Sequence, residues 1–243
     1  KINKEDSIEK EKFFKEKPNT LNPYKAIINI SDALNEDDII VCGNASACII
    51  PFQTIQIKKG QRLFSNSGSA SMGYDLPAAI GAGIAVRKKK DSRIICFAGD
   101  GSLQMNIQEL QTLKSLNLNL KIFLINNNGY LSIKSTHKNF FGETFGCHPE
   151  SGIDFPSFHK VAESYGIESM VINNMTSLKS IKSKIKKPGP LLVELMVDTN
   201  QEFCPKLKSR LDDNGKFITP ELDDMFPFIE KNKLENIRNS VED

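Results

Sequence analysis

Two rhythms of apolar and polar positions share this chain. Short, nearly continuous apolar runs predict strands covered on both faces: Asp38-Ile39-Ile40-Val41-Cys42, Arg93 to Ala98, Lys121-Ile122-Phe123-Leu124-Ile125, Met170-Val171-Ile172 and Leu191 to Val197. Between them lie helical spacings. Tyr24, Ile27, Ile28, Ile30 and Leu34 mark one face over 21–34, and Leu103, Ile107, Leu110, Leu113 and Leu116 form a stripe over 103–116. Gly73 to Val86 is small and nearly all apolar, which predicts a helix buried on several sides. Phe158, Val161, Ala162 and Tyr165 mark another helix, with Gly166 as its stop, and Leu178 to Ile185 a last one. Strands alternating with helices predict an α/β fold of βαβ units, with a parallel sheet and right-handed crossovers.

Both ends break this rhythm. Residues 1–19 are charged and lysine-rich, ending Lys17-Pro18-Asn19, and read as a linker or surface helix. From 200 to 243 the chain is a tail of prolines and charges with an Asp212-Asp213-Asn214-Gly215 turn. The segment between, 20–199, holds the alternating pattern and no internal repeat.

The 243 residues, 39% hydrophobic, can build a sizeable core. The 32 basic and 30 acidic residues leave a charge of +2, so nothing global points to nucleic acid or an anionic membrane. No apolar run approaches the ~20 residues that span a bilayer. The start Lys1-Ile2-Asn3 carries no signal-peptide pattern and suggests a fragment. Cys42, Cys48, Cys96, Cys147 and Cys204 form no CxxC pair, as expected of reduced thiols in a cytoplasmic protein.

The candidate chemistry starts at Ile94-Ile95-Cys96-Phe97-Ala98-Gly99-Asp100-Gly101-Ser102, which holds one carboxylate between two glycines at a strand end. Ligands of an open parallel sheet gather at the carboxyl ends of its strands. The flanking glycines let the backbone bend close to a ligand. A helix from Leu103 would offer unpaired N–H groups to a phosphate. A carboxylate facing phosphates needs a cation between, and Mg²⁺ takes one or two protein oxygens plus phosphate oxygens. The next strand end, Leu124-Ile125-Asn126-Asn127-Asn128-Gly129-Tyr130, supplies an amide oxygen and a glycine able to turn its carbonyl inward. Either stretch alone reads as an ordinary turn. Together, one strand-helix-strand crossover brings Asp100 and Asn127 to the same sheet edge.

That pair of motifs resembles the cofactor motif of thiamine-diphosphate enzymes. Asn66 to Gly81, NSGSASMGYDLPAAIG, is similar to the SGGLGTMGxGLPAAIGA run of acetolactate synthases, and Asp100 to Leu110, DGSLQMNIQEL, to their GDGSFxMNxQEL. The likeness runs from Leu21 to Val197 and implies the C-terminal diphosphate-binding domain, last of three: a doubly wound parallel sheet with helices on both faces. It implies thiamine diphosphate and Mg²⁺ as cofactors. Asp100 and Asn127 would bind the metal by side chain and Gly129 by its carbonyl. Gly99, Gly101 and Ser102 would lie at the diphosphate, with Tyr130 and Leu131 in the following turn. Met72, beside Ser71, would wedge under the bent cofactor, and the Ala70 carbonyl would accept from the pyrimidine amino group. Gly43, Asn44 and Ala45 would touch the diphosphate from the first strand-end loop.

The resemblance also implies a reaction. A 2-oxoacid such as pyruvate loses CO₂ and its two-carbon unit passes to a carbonyl acceptor. The activating glutamate belongs to another domain of a partner subunit, so no catalytic residue is expected on this chain, which alone should bind cofactor poorly. A homodimer or homotetramer follows, with no nucleic acid or membrane partner. One departure bears on the acceptor: where acetolactate synthases carry GMVxQW, this chain has Leu131-Ser132-Ile133-Lys134-Ser135-Thr136, and it contains no tryptophan. A simple 2-oxoacid decarboxylase or its cofactor-binding subunit, a carboligase acting on a sugar ketone, and an inactive regulatory homologue stay open as alternatives.

The three histidines fit less tightly. His137 and His148 lie after the asparagines, where such enzymes place substrate-facing residues; His159, beside Phe158 on a helix, is expected at the surface. Gly81-Ala82-Gly83 lacks the third glycine of a nicotinamide loop and sits inside a helix. Arg87 to Lys90 and the lysines at 182, 184, 186 and 187 follow helix ends and read as solvated charge.

Overall fold

The computed structural model describes residues 17–89, 92–211 and 214–240. Most of the expected linker over 1–19, Lys90, and the Asp212-Asp213 half of the tail turn lie outside them.

Six parallel strands make one sheet: β1 (Ile39–Cys42), β2 (Arg62–Phe64), β3 (Ile94–Gly99), β4 (Leu120–Asn126), β5 (Glu168–Ile172) and β6 (Leu191–Met196), in the order β2-β1-β3-β4-β6-β5. The helices in chain order are α1 (Pro23–Asp32), α2 (Ser46–Thr54), α3 (Asp75–Val86), α4 (Asp100–Met105), α5 (Glu109–Leu116), α6 (Leu131–Phe140), α7 (Phe158–Ser164), α8 (Met175–Leu178) and α9 (Ile181–Lys184).

Alternate strand residues divide between the two faces. Val41, Cys96, Ala98, Ile122, Leu124 and Leu192 pack with Leu76 and Ala79 of α3, Leu110 and Leu113 of α5, and Phe158 and Ala162 of α7. Ile40, Ile95, Phe97, Phe123 and Val193 alternate with them and are fully buried; Phe97 and Phe123 stack at 5.5 Å. There α2 meets β1, β3 and β4, and α1 packs on α2. The sheet is therefore doubly wound. The chain leaves β1 toward β2 but β3 toward β4, so the winding reverses between β1 and β3, where ligand crevices form.

The opposite, amino-terminal edge is closed by a buried ion pair. Arg93 donates through Nε to Asp38 Oδ1 (3.0 Å) and through Nη2 to Asp38 Oδ2 (2.5 Å), and its Nη1 reaches the Ile185 carbonyl (3.1 Å). Both residues were expected inside strands; they stand just before β1 and β3 instead, where their charges can meet.

Other boundaries differ with equally local causes. Asn22 caps α1 by accepting the Tyr24 and Lys25 N–H groups, so that helix begins at Pro23 rather than Leu21. The stripe over 103–116 is two helices, broken at Asn106, and the first begins at Asp100 itself. The second ends at Asn117 in the left-handed conformation. Residues 178–185 likewise hold two short helices rather than one. Helix α3 is buried on one face only, with Ile84 turned outward. The segment after the asparagines is helix α6, none of whose residues is buried.

Packing separates the chain after Gln201. The second unit carries an antiparallel pair, β7 (Arg210–Leu211) and β8 (Phe217–Ile218), and helix α10 (Lys231–Asn239), where Arg238 binds Asp223 and Glu221. Among the described residues no helix is long and apolar enough to cross a membrane.

Candidate functional site

The tips of β1, β3 and β4 lie side by side and open into one cleft. Its walls include Asn44, Ala45, Met72, Gly99, Asp100, Gly101, Ser102, Asn127, Gly129, Tyr130 and Leu131. Of the residues singled out in the sequence, Gly43, Ala70 and Ser71 do not line it. Gly43 stands just behind, where its N–H donates to the Phe97 carbonyl at 2.9 Å. Ala70 has a left-handed backbone (φ 49°) in the preceding loop, and Ser71 accepts from the Asn66 amide.

Asp100 is the organising side chain. It is buried at the first position of α4. Its Oδ1 accepts the Gly101 N–H (2.7 Å), while Oδ2 accepts the N–H groups of both Asn127 and Gly129 (3.1 Å each). The carboxylate thus fastens the tip of β3 to the turn after β4. Burial pushes its pKa up to about 6, against the downward pull of those N–H groups.

One carboxylate, one amide and one carbonyl converge here. One end of the Asn127 amide lies 3.3 Å from Asp100 Oδ2 and 2.5 Å from the Gly129 carbonyl oxygen, where an NH₂ would donate to both and an oxygen would need a cation between. A hard divalent cation would join all three groups with the amide oxygen inward. One carboxylate, one amide oxygen and one carbonyl are a donor set that Mg²⁺ accepts. Gly129, at φ 154°, is needed in this turn: a β-carbon there would stand 2.2 Å from the Cys147 carbonyl oxygen.

A second clamp holds the Met72 loop. The Gly73 N–H donates to Ser102 Oγ (2.7 Å) and its carbonyl accepts from Asn106 Nδ2 (2.6 Å). Gly73 has φ 79°, and a β-carbon would lie 2.7 Å from Asn106 Nδ2. Break-point Asn106 thereby presents Met72 to the cleft.

Beneath the cleft lies Asp75, fully buried, at the position where the quoted GxGLPAAIGA run has its second glycine. Its Oδ1 accepts the Leu76 N–H at 2.9 Å, and Oδ2 has no hydrogen-bond partner. A β-carbon on Gly43 would stand 2.6 Å from that oxygen. Burial pushes the carboxyl above the usual range, and the Leu76 N–H offsets only part of this.

Ser46, Ile125, Ser132 and Ile133 also line the cleft, although the sequence did not single them out. Ser46 opens α2, a helix hidden by Pro51 and a run of β-branched residues; Asn127 Nδ2 reaches its hydroxyl at 3.4 Å. The histidines are elsewhere. His137 sits against Phe141 and Phe145, and His148 lies between Thr144 Oγ1 (2.8 Å) and Glu150 Oε2 (2.6 Å); neither lines the cleft. His159 is not a plain surface residue: its ring bonds the buried Glu194 at 2.7 Å.

Comparison with known proteins places the region that contains this cleft in a family. Residues 43–195 match the family described as "Thiamine pyrophosphate enzyme, C-terminal TPP binding domain". The acetolactate synthase large subunit of Porphyra purpurea is 37% identical over 148 residues, covering 60% of this chain and 24% of that protein. The acetolactate synthase isozyme 1 large subunit of Escherichia coli is 30% identical over 186 residues, 76% of this chain and 32% of the relative. The chain therefore spans about a quarter to a third of these relatives. Among solved structures, the thiamine diphosphate-dependent 4-hydroxybenzoylformate decarboxylase of Rhodococcus jostii RHA1 superposes with a TM-score of 0.65 at 22% identity, over 77% of this chain and 34% of that one. At that identity the likeness concerns the fold.

Proposed function

The chain belongs to the thiamine pyrophosphate enzymes, as their C-terminal cofactor-binding domain, and from that premise we propose that it serves an acetolactate synthase-like carboligase. Thiamine diphosphate with a divalent metal, typically Mg²⁺, is the family's cofactor. When bound, it supplies the carbanion chemistry that releases CO₂ from a 2-oxoacid.

The roles assigned to this chain's residues concern holding and orienting. Asp100, Asn127 and the Gly129 carbonyl present three oxygens to Mg²⁺. Gly101, Ser102, Tyr130 and Leu131, with Asn44 and Ala45, line the cleft that would hold the diphosphate. Met72, clamped through Gly73, lines the same cleft and would pack against the bound cofactor. Ala70 and Ser71 stand outside the cleft walls of this chain, and the Ala70 carbonyl would accept from the pyrimidine amino group. The observation that carries the reading is the convergence of the Asp100 carboxylate, the Asn127 amide and the Gly129 carbonyl at adjacent strand tips inside the matched region.

The larger assignments belong to the same proposal: pyruvate or another 2-oxoacid as donor, a carbonyl acceptor, a homodimer or homotetramer, and a cytoplasmic setting. The packing break after Gln201 supports reading the tail from about residue 200 as separate from the cofactor domain over 20–199, and the reading keeps 1–19 as a linker. The test supplies the full-length protein with pyruvate, Mg²⁺ and thiamine diphosphate and identifies the products. Acetolactate is expected. Acetaldehyde would make it a simple decarboxylase, transfer to an added sugar ketone would name that acceptor, and no turnover of any 2-oxoacid would overturn the enzyme reading.

A further inference from the structure

Behind the metal-facing turn runs a buried chain of side chains that none of the roles above uses. Asn126 ends β4. Its Oδ1 accepts the Asn128 N–H at 2.9 Å, closing the turn in which Asn128 takes the left-handed conformation (φ 57°). Its Nδ2 donates to Glu194 Oε1 at 2.8 Å. The other oxygen, Glu194 Oε2, accepts the His159 N–H (3.1 Å) and meets His159 Nδ1 (2.7 Å). Glu194 is 3% exposed, in the middle of β6 between β4 and β5.

An acid in the centre of a sheet needs a reason, because burying it uncompensated is costly. Its geometry supplies one. An amide has two ends of opposite polarity, and the turn closes only if Asn126 offers its oxygen to Asn128. A carboxylate accepts and never donates, so it forces the nitrogen of Asn126 toward itself and the oxygen toward the turn. His159, donating its backbone N–H and holding its ring Nδ1 against the same oxygen, fixes the carboxylate in turn. We propose that Glu194 is a positioning residue for the metal-binding turn, acting through Asn126 and held by His159. The inference rests on the assignment of Asn127 and Gly129 to the metal. Groups that orient ligands in this way commonly contribute about 10- to 100-fold in metal affinity.

The test exploits polarity. In the full-length protein, Glu194→Gln keeps size and removes the acid; with its amide oxygen toward His159, its nitrogen faces the nitrogen of Asn126 and the turn loses its closure. Asn126→Asp sets two acids against each other. The double variant Glu194→Gln/Asn126→Asp restores every donor–acceptor pairing with the acid moved across. Calorimetric titration of Mg²⁺ in the presence of thiamine diphosphate is expected to show each single variant weakened by about tenfold or more and the double variant recovered toward wild type. Amide exchange at Asn128, measured without cofactor, is expected to quicken in the single variants and slow again in the double. A double variant as weak as the singles together, or unaltered exchange in Glu194→Gln, would overturn the proposal. Should wild type itself bind no Mg²⁺, the metal assignment fails, and the exchange rates still decide whether Glu194 orders the turn.

Discussion

The ring of Tyr130 lies directly over Gly101: a β-carbon built on that glycine would stand 2.0 Å from Tyr130 Cε1. The close approach joins the first turn of α4 to the start of α6, two segments that flank the cleft. Gly101→Ala should push the tyrosine ring aside without disturbing the helix, because residue 101 does not have a positive φ. Thiamine diphosphate affinity of the full-length protein is expected to fall by about tenfold, ~1.4 kcal/mol, with thermal stability little altered. Calorimetry beside a thermal melt separates the two effects.

Asn106 and Ser102 grip the Gly73 peptide from opposite ends. Asn106→Ala leaves the Gly73 carbonyl without its donor. Stability is expected to drop by about 1 kcal/mol, the scale of one such hydrogen bond. Cofactor affinity should fall as well, because Met72 loses its anchor. A urea titration and a cofactor titration on the same variant check both parts.

At the far edge of the sheet, Arg93→Ala would leave Asp38 buried and unpaired. Breaking a buried pair in this way destabilises by about 3–5 kcal/mol. Removed from the cleft by the length of β3, the substitution should leave the Mg²⁺ dependence of cofactor binding unchanged in whatever fraction stays folded. Denaturant midpoints and a metal titration test the separation.

Asp75 gives a pH signature. Its folded-state pKa is raised by burial, so the folded chain holds that proton more tightly than the unfolded one. The resulting cost to stability is absent below the ordinary carboxylate pKa, grows as pH rises toward the folded value, and is full above it. Asp75→Asn carries no such cost. The variant's stability relative to wild type should therefore rise as pH increases above the ordinary carboxylate range. Unfolding free energies measured from pH 3.5 to 8 would show it; a flat difference would mean that Asp75 titrates as an ordinary carboxylate.

The central strands and the meeting of Asp100 with Asn127 in one cleft were legible because both are written locally. Runs such as Lys121 to Ile125 can only be buried strands, and Asp100 and Asn127 sit at their tips. The parts that stayed hidden depend on tertiary packing. Helix α2 carries Pro51 and little helical periodicity, β2 is three residues long at an edge, and α6 has no buried face to leave a stripe. The split at Asn106 could not be read from a stripe that runs unbroken through both pieces. Asp75 and Glu194 were invisible as polar features because each sits in an otherwise apolar segment, and only the fold reveals what surrounds it.

The central claim is that one divalent ion joins the tips of β3 and β4. Crystals of the full-length protein grown with thiamine diphosphate and Mn²⁺ in place of Mg²⁺ would locate that ion by its anomalous scattering. The account predicts a peak about 2.1 Å from an oxygen each of Asp100, Asn127 and Gly129, roughly the spacing of an octahedral hard cation. A peak elsewhere, with the side chains of Asp100 and Asn127 turned apart, would contradict it.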